Sequence, residues 1–439
     1  MNRRAFLRTG AASTAILWSL PGQCAEDRSA PPSDSELLSQ ARESIQRYRK
    51  TDITVQVQSS DGAPVPNAKV KLEQVNHEFL FGCNLFPFNR CANSDQEEAF
   101  RSRFAALFNY ATLGFYWASY EFERGKPGYD YTDQVLEWTD KQGIACKGHP
   151  LVWDHPASSP RWLPDDLAEI APLVHERVKN VVSRYKNRIH FWDVVNEATH
   201  LPDGVNKTKM GAWGAAIGPV PYTGEPLRIA RAANPDAALL VNDYRTDPAY
   251  LRLLSSLRKE RGFLMNAVGI QSHMHQGVWP LHKVYSVCET YARLGLPLHF
   301  TETTILSGGR ENKEWGPTTA EGEAAQAEHT ANFYTMLFSH PSVAAVTWWD
   351  LSDYQAWQRA PAGLVRQDMS PKPAYERLLD LIRRQWWTKA EAATDEKGLC
   401  SFRGCHGSYQ VSAEALNKRI SKQDLRVGRA HPNQITLRL

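Results

Sequence analysis

The segment HFWDVVNEATH, residues 190–200, runs large apolar side chains directly into a carboxylate. Its Phe, Trp and Val residues are typical of a strand that is buried on both faces, and Asn196 and Glu197 follow at once. A buried carboxylate without a partner is costly to desolvate. The segment therefore predicts a buried strand that ends at a surface where Glu197 meets a partner or a ligand.

Seven further apolar runs of similar length occur in the chain, and helical patterns separate them. The eight runs are 78–85, 111–117, 144–149, 189–197, 238–244, 267–273, 298–303 and 343–351. Continuous apolar strands that alternate with helices predict an α/β fold with a covered parallel sheet, and eight units predict a closed (β/α)8 TIM barrel. A doubly wound open sheet is the alternative, but no G-x-G-x-x-G motif follows the first run to support a dinucleotide site.

Most of these runs end in a polar or ionisable residue. The six such residues are His149, Glu197, Tyr244, His273, Glu302 and Asp350. In a barrel these positions are the carboxyl ends of the strands, which meet at one face. Hydrolysis of a glycosidic bond needs one carboxylic acid to protonate the leaving oxygen and one carboxylate to meet the developing cation. We therefore predict that Glu197 and Glu302 form a catalytic pair.

The sequence resembles glycoside hydrolase family 10, the (β/α)8 endo-β-1,4-xylanases, in an ordered set of short motifs. They are GHPLVWDHP (148–156), WDVVNEA (192–198), VNDY (241–244), GIQSH (269–273), HFTET (299–303), TWWDLSDYQAW (347–357) and SPKPAY (370–375). Each motif alone is weak, but the set covers about residues 77–385 and includes both glutamates. The resemblance implies the barrel fold and a retaining glycosidase activity.

The resemblance also implies a role for each matching residue. Glu197 would be the general acid/base, and Glu302 the nucleophile that forms a covalent glycosyl-enzyme. His273 would hydrogen-bond Glu302, and Asn196 would contact the sugar 2-hydroxyl. The other implied sugar contacts are His149, Trp153, Trp349 and Trp357. Taken alone, His149 and His273 favour an interpretation as core histidines, and core packing is the alternative for the three tryptophans. No metal or cofactor is implied.

Two stretches depart from the family pattern. The family has Glu-Asn-x-x-Lys-Trp after the second strand, where this chain has GFYWAS (114–119), and His-Ser-Gln where it has Asp154-His155-Pro156. The departures favour a decorated xylan, another β-linked glycan or a glycoside over unbranched xylan. The predicted function is endo-acting hydrolysis of β-1,4-xylan or a related plant polysaccharide. A different β-glycosidase and a carbohydrate-binding protein without catalysis are the alternatives.

The N-terminal segment, residues 1–25, predicts a twin-arginine export signal and hence a periplasmic or extracellular protein. Its apolar stretch is too short to span a membrane. Without its three arginines, the 51 basic side chains of the chain fall to 48, equal to the 48 acidic ones. This balance argues against nucleic acid as a partner. We expect a monomer whose partner is a polysaccharide and which does not bind membranes after the signal is removed.

Smaller elements are predicted on both sides of the barrel, which spans residues 77–385. Residues 26–76 predict a linker, a short helix and a β-hairpin over 51–74. Residues 386–439 predict a β-rich appendage that packs on the barrel or on the hairpin, with a separate sugar-binding module as the alternative. Six cysteines follow the signal, none with C-x-x-C spacing. Cys400 and Cys405 are the candidate disulfide, and six free thiols are the alternative.

Overall fold

The computed structural model describes residues 32–259, 262–311, 314–415, 418–419 and 423–439. The predicted export signal, residues 1–25, lies outside these ranges. Within the ranges, no helix combines the length and the apolar character needed to cross a bilayer.

Eight parallel strands close into a barrel, which confirms the predicted fold class. In chain order the barrel strands are β1 Leu80–Asn84, β2 Tyr110–Gly114, β3 Ala145–His149, β4 Phe191–Asn196, β5 Ala238–Asp243, β6 Ala267–His273, β7 Leu298–Thr304 and β8 Val343–Trp348. Every residue of β1 and of β4 is buried, which explains why these strands form continuous apolar runs in the sequence. Each observed strand overlaps its predicted run.

Helices follow the strands and cover the outside of the barrel. They are Ser94–Leu107, Trp117–Tyr120, Asp130–Gln142, Ile170–Arg184, Lys209–Ile217, Pro219–Ala233, Pro248–Ser256, Leu281–Ala292, Ala320–Ser339 and Pro373–Asp380. The helix Ile170–Arg184 buries Ile170, Val174, Val178 and Val181, whose spacing puts them on one face. A further helix, Asp34–Tyr48, precedes the barrel and contacts Ala320–Ser339.

The segments before and after the barrel form a β unit with its own apolar core. One sheet has the strand order Leu399–Cys405, Lys50–Gln58, Gln434–Arg438. The other sheet contains Lys389–Ala393, Lys69–His77, Gly407–Ala415, Lys418–Arg419 and Gln423–Val427. Their inward residues include Ile53, Val55, Val70, Leu72, Tyr409 and Val411. Chain segments from the two ends of the sequence therefore share one core.

The predicted hairpin over residues 51–74 is wrong in its pairing. Both strands form, but Lys50–Gln58 pairs with Leu399–Cys405 and Gln434–Arg438, while Lys69–His77 pairs with Lys389–Ala393 and Gly407–Ala415. The alternating apolar residues correctly indicated two strands with one buried face each. Alternation specifies a buried face, but it does not identify which strand lies alongside.

The predicted disulfide between Cys400 and Cys405 is also wrong, because both are free thiols on the strand Leu399–Cys405. Five residues along a strand span roughly 16 Å, whereas the Cα atoms of a disulfide lie within about 7 Å. The other four cysteines that follow the predicted signal are free thiols as well.

Candidate active site

Glu197 lies at the point where β4 ends. It is the single residue between Asn196, the last residue of β4, and a short 3-10 helix, Ala198–Asp203. Its φ of 58° lies in the left-handed region that residues other than glycine rarely adopt. The backbone N–H of Glu197 donates to the carbonyl oxygen of Asn242 at 2.8 Å, which holds this conformation. Backbone strain that the surroundings enforce is concentrated at functional sites.

Three neutral side chains donate hydrogen bonds to the Glu197 carboxyl group. Gln271 Nε2 and Asn196 Nδ2 reach Oε1 at 2.8 and 3.1 Å, and the indole N–H of Trp153 reaches Oε2 at 3.1 Å. The donors come from β6, from β4 and from the loop after β3. Glu197 is therefore oriented from three sides of the barrel mouth.

Glu302 lies inside β7, and only 4% of it is exposed. Its Oε1 accepts a hydrogen bond from Asn242 Nδ2 at 2.7 Å, and its Oε2 lies 3.1 Å from His273 Nε2. The Nε2 atom of His149 lies 3.8 Å from Oε1. The nearest partners of Glu302 thus include two imidazoles, whereas the donors to Glu197 are amides and an indole.

The two carboxyl groups titrate in opposite directions from the ordinary value. Burial raises the pKa of Glu197 to about 7; the Gln271 hydrogen bond opposes this effect, and the charge of Glu302 adds to it. Burial would also raise the pKa of Glu302, but the charge of His149 and the hydrogen bond from His273 outweigh it and lower this pKa. The arrangement provides one protonated acid and one ionised carboxylate at the same pH.

Two amide side chains link the glutamates across the mouth. Asn242 Nδ2 lies 2.7 Å from Glu302 Oε1 and 2.8 Å from Asn196 Oδ1, and Asn196 Nδ2 reaches Glu197. Gln271 Nε2 bonds Glu197 at 2.8 Å and lies 3.3 Å from Asn196 Oδ1. The carboxyl groups from β4 and β7 are therefore only two amide side chains apart, in one connected network.

A buried charge cluster lies next to Glu302. Lys147 Nζ is 2.6 Å from Asp193 Oδ2, and both side chains are fully buried. The same carboxylate oxygen lies 2.8 Å from His149 Nδ1. Burial would raise the pKa of Asp193, but the charges of Lys147 and His149 outweigh it and lower this pKa. An ionised Asp193 orients His149 so that its other ring nitrogen faces Glu302.

The predicted tryptophans surround the carboxyl groups at different depths. Trp153 bonds Glu197 directly. Trp349 is 4% exposed, and its ring lies 5.4 Å from that of His149 and 5.7 Å from that of His273. Trp357 is 44% exposed, and its ring lies 4.6 Å from His273. Trp357 therefore offers an open aromatic face, which suits stacking on the C–H face of a sugar.

Sequence reasoning missed several groups at the mouth. Asn242 and Gln271 bridge the site, yet neither was assigned a role, although they lie inside the VNDY and GIQSH motifs. Tyr116 belongs to the first departing stretch, and its ring lies 5.8 Å from that of His149 and 6.1 Å from that of Trp153. Because β5 and β6 lie between β4 and β7, their inward residues could have been included by barrel order alone.

The hydrogen-bond donors at the barrel mouth suit the hydroxyl oxygens of a sugar and the two glutamate carboxylates. Across the described ranges, no group of three or more His, Cys, Asp or Glu side chains is arranged to hold a metal ion. The ligand-facing groups described above are amides, imidazoles, an indole and two carboxyl groups.

The fold and the site place this protein in the class of (β/α)8-barrel proteins with two linked glutamates at the carboxyl ends of the strands. The family follows from the sequence, because the model of glycosyl hydrolase family 10 matches residues 74–381, which is most of the chain. The chain belongs to glycosyl hydrolase family 10, as its motifs predicted.

Two relatives share about a quarter of their aligned residues with this chain. Anti-sigma-I factor RsgI6 of Acetivibrio thermocellus is 26% identical over 397 residues, covering 88% of this chain and 48% of that protein. Endo-1,4-beta-xylanase 1 of Arabidopsis thaliana is 26% identical over 393 residues, covering 86% of this chain and 37% of that protein. The chain thus spans about half or less of the length of these curated relatives.

Solved structures show the same fold. Native xylanase 10B of Thermotoga maritima superposes with a TM-score of 0.59 at 23% identity, over 70% of this chain and 96% of its own. At this identity the match supports the architecture of the barrel.

Proposed function

We propose that this protein is a retaining glycoside hydrolase that cleaves β-1,4-xylan or a related plant polysaccharide within the chain. The observation that carries the proposal is the opposite pKa shift of Glu197 and Glu302 inside one hydrogen-bonded network. Pairs of carboxyl groups whose environments separate their pKa values take the acid and base roles in such enzymes. Membership of family 10 supports the same assignment.

In the first step, Glu302 acts as the nucleophile and Glu197 as the acid. The ionised carboxylate of Glu302 attacks the anomeric carbon while Glu197 gives its proton to the leaving oxygen, and the glycosidic bond breaks. His273 and Asn242 donate to Glu302 and favour its charged form before the attack. A glycosyl ester on Glu302 is the product of this step.

In the second step, the same pair releases the sugar. Esterification removes the negative charge of Glu302, which had helped to raise the pKa of Glu197. The pKa of Glu197 therefore falls, and the residue can take a proton from water as the water attacks the anomeric carbon and the bond between that carbon and the Glu302 carboxylate breaks. Two inversions at the anomeric carbon give net retention of configuration.

The surroundings of the carboxyl groups suit a polysaccharide. The exposed ring of Trp357 and the Trp153 indole border the site, and several proteins similar to this chain bear the name endo-1,4-beta-xylanase. Tyr116 favours a second candidate, the hydrolysis of a different β-linked glycan or glycoside. This aromatic ring belongs to the stretch 114–119, which lacks the Glu, Asn and Lys of the family pattern, so that stacking on Tyr116 takes the place of hydrogen bonding on that side.

A panel of polysaccharides and aryl glycosides tests the proposal. We expect new reducing ends from xylan or a related β-linked glycan, with product sizes that show cleavage inside the chain. Release of single sugars only would support the glycosidase alternative. Binding without turnover, unchanged in Glu302→Gln, would establish a carbohydrate-binding protein and overturn the proposal.

The proposed substrate fits the export predicted from residues 1–25, because a plant polymer is met outside the cell. We propose that the protein works in the periplasm or outside the cell. Fractionation of cells that carry the full chain or an Arg3→Lys/Arg4→Lys variant checks this. Equal amounts of cytoplasmic protein from both chains would contradict the twin-arginine route.

A further inference from the structure

Asp154 and His200 form a buried ion pair at the mouth of the barrel. His200 Nε2 lies 3.0 Å from both carboxylate oxygens of Asp154, and the two side chains are only 2% and 3% exposed. Asn206 Nδ2 donates to Asp154 Oδ1 at 3.0 Å. Asp154 belongs to the second stretch that departs from the family pattern, and the mechanism above does not use either residue.

Each member of the pair lies on a segment that also contacts or contains Glu197. Asp154 directly follows Trp153, whose indole N–H donates to Glu197 Oε2. His200 lies in the 3-10 helix Ala198–Asp203, which begins immediately after Glu197. The second ring nitrogen of His200 lies 3.4 Å from the hydroxyl of Tyr244, which is 45% exposed.

The charges that face His200 are mainly negative. Burial opposes protonation of His200, but the hydrogen bond and charge of Asp154 and the charges of Glu197 and Asp243 raise its pKa. Asp154 is its only hydrogen-bonded acidic partner among the described residues. The titratable groups around His200 are Asp154 and His155 from the loop after β3, Glu197 directly after β4, Asp243 at the end of β5 and Tyr244 directly after β5.

The positive charge acts back on Glu197. Burial, Glu302 and Asp243 all raise the pKa of Glu197, and the charge of His200 lowers it. A general acid/base must give up its proton in one step and accept one in the next. In the glycosyl-enzyme the charge of Glu302 is gone, but burial and Asp243 still raise the pKa of Glu197, and the charge of His200 offsets part of this rise.

We propose that Asp154 and His200 are positioning residues for the acid/base step: Asp154 keeps His200 charged, and this charge lets Glu197 ionise for the attack of water. The proposal rests on the proposed role of Glu197. It predicts that the pair matters more for hydrolysis of the glycosyl-enzyme than for its formation.

Two substitutions of similar shape test the positive charge of His200, one by removing the anionic partner that stabilises it and one by removing the charge itself. Asp154→Asn leaves His200 without its anionic partner, and His200→Gln retains a donor toward Asp154 without a positive charge. Both variants should shift the basic limb of kcat/KM upward, by about one pH unit in His200→Gln and by less in Asp154→Asn, because the latter also removes a negative charge from the same pair. On an aryl glycoside with a good leaving group, kcat should fall roughly tenfold near neutral pH, with a lower KM because the glycosyl-enzyme accumulates.

A matched control is Asp165→Asn. Asp165 lies in the same loop after β3 and is paired with Lys209 at 2.7 Å, but its side chain is 96% exposed. This variant loses the same charge from the same loop and should leave the pH profile in place. Thermal melting of each variant establishes whether it is folded; if Asp154→Asn is not, His200→Gln gives the measurement.

The outcomes separate the pair from the assignment of Glu197. Equal losses of kcat at every pH, with no shift of the basic limb in either variant, would mean a structural role and would overturn the proposal. A basic limb that persists unchanged in Glu197→Gln would instead show that Glu197 is not the titrating acid, and the proposed function itself would fail.

Discussion

The two sides of the barrel mouth each hold a buried glutamate, and the two glutamates differ in protonation state. Glu302 faces His149 and His273, whereas Glu197 receives hydrogen bonds from neutral donors and lies near Asp243. Burial raises the pKa of both, so the neighbours alone decide that one pKa falls and the other rises to about 7. The charge state of each glutamate is therefore set by the side chains that the neighbouring elements place around it.

Glu302→Ala should have the largest effect, because it removes the ionised carboxylate of the pair. We expect turnover to fall by about 10⁴-fold or more, as for the loss of other covalent nucleophiles. Added azide should then give a glycosyl azide of inverted configuration, which NMR of the product identifies. A product of retained configuration from this variant would contradict the nucleophile assignment.

Glu197→Ala removes the protonated carboxyl group of the pair, and its effect on the rate should depend on the leaving group. Glycosides with poor leaving groups should slow by about 10²- to 10⁴-fold, the usual contribution of general acid catalysis. Activated aryl glycosides, which leave without a proton, should form the glycosyl-enzyme at a nearly unchanged rate. Burst kinetics on both substrate types measures the difference, and equal slowing on both would argue against the acid role.

His273→Ala tests whether His273 keeps Glu302 ionised. Loss of the imidazole removes a hydrogen bond and a charge that lower the pKa of Glu302, so this pKa rises. Because the nucleophile must be ionised, the acidic limb of kcat/KM should move upward by about one pH unit.

His329→Ala is the control for that variant, since it removes an exposed histidine from the outer helix Ala320–Ser339. Its pH profile should match that of the unaltered protein. An acidic limb that stays in place in His273→Ala would show that the Glu302 side does not depend on this imidazole.

Trp153→Phe tests the Glu197 side with the smallest expected effect. The ring remains, but the indole N–H that donates to Glu197 Oε2 at 3.1 Å is lost. A donor to the carboxylate favours its charged form, so its loss raises the pKa of Glu197 and moves the basic limb upward by about half a pH unit or less. A downward shift in the measured profile would be inconsistent with this hydrogen bond.

Most of the barrel could be predicted from local patterns. The strands from β1 to β8 are buried on both faces, so each appears as a continuous apolar run that needs no knowledge of its neighbours. The β unit could be predicted only in part. The alternation in Lys50–Gln58 indicated a strand, but its partner Leu399–Cys405 lies at the far end of the chain, and the pairing rests on a core assembled from both.

The candidate site divides in the same way. Glu197 and Glu302 could be identified because each stands at or near the carboxyl end of a predicted strand. Barrel order could have placed Asn242 and Gln271 at the mouth, but the partners of these two residues and of Lys147 could not be predicted, because they are side chains from other elements. The Asp154–His200 pair likewise joins a loop after β3 to a 3-10 helix after β4.

The sequence by itself determined the number and order of the barrel strands, the family, and the two carboxyl groups at the mouth, because these depend on local composition and on ordered motifs. Only the tertiary structure decided which carboxyl group holds a proton, which cation lies beside it, and how the two ends of the chain share a core. Burial and charge at a side chain are set by residues from other strands, and the chain order does not specify those distances.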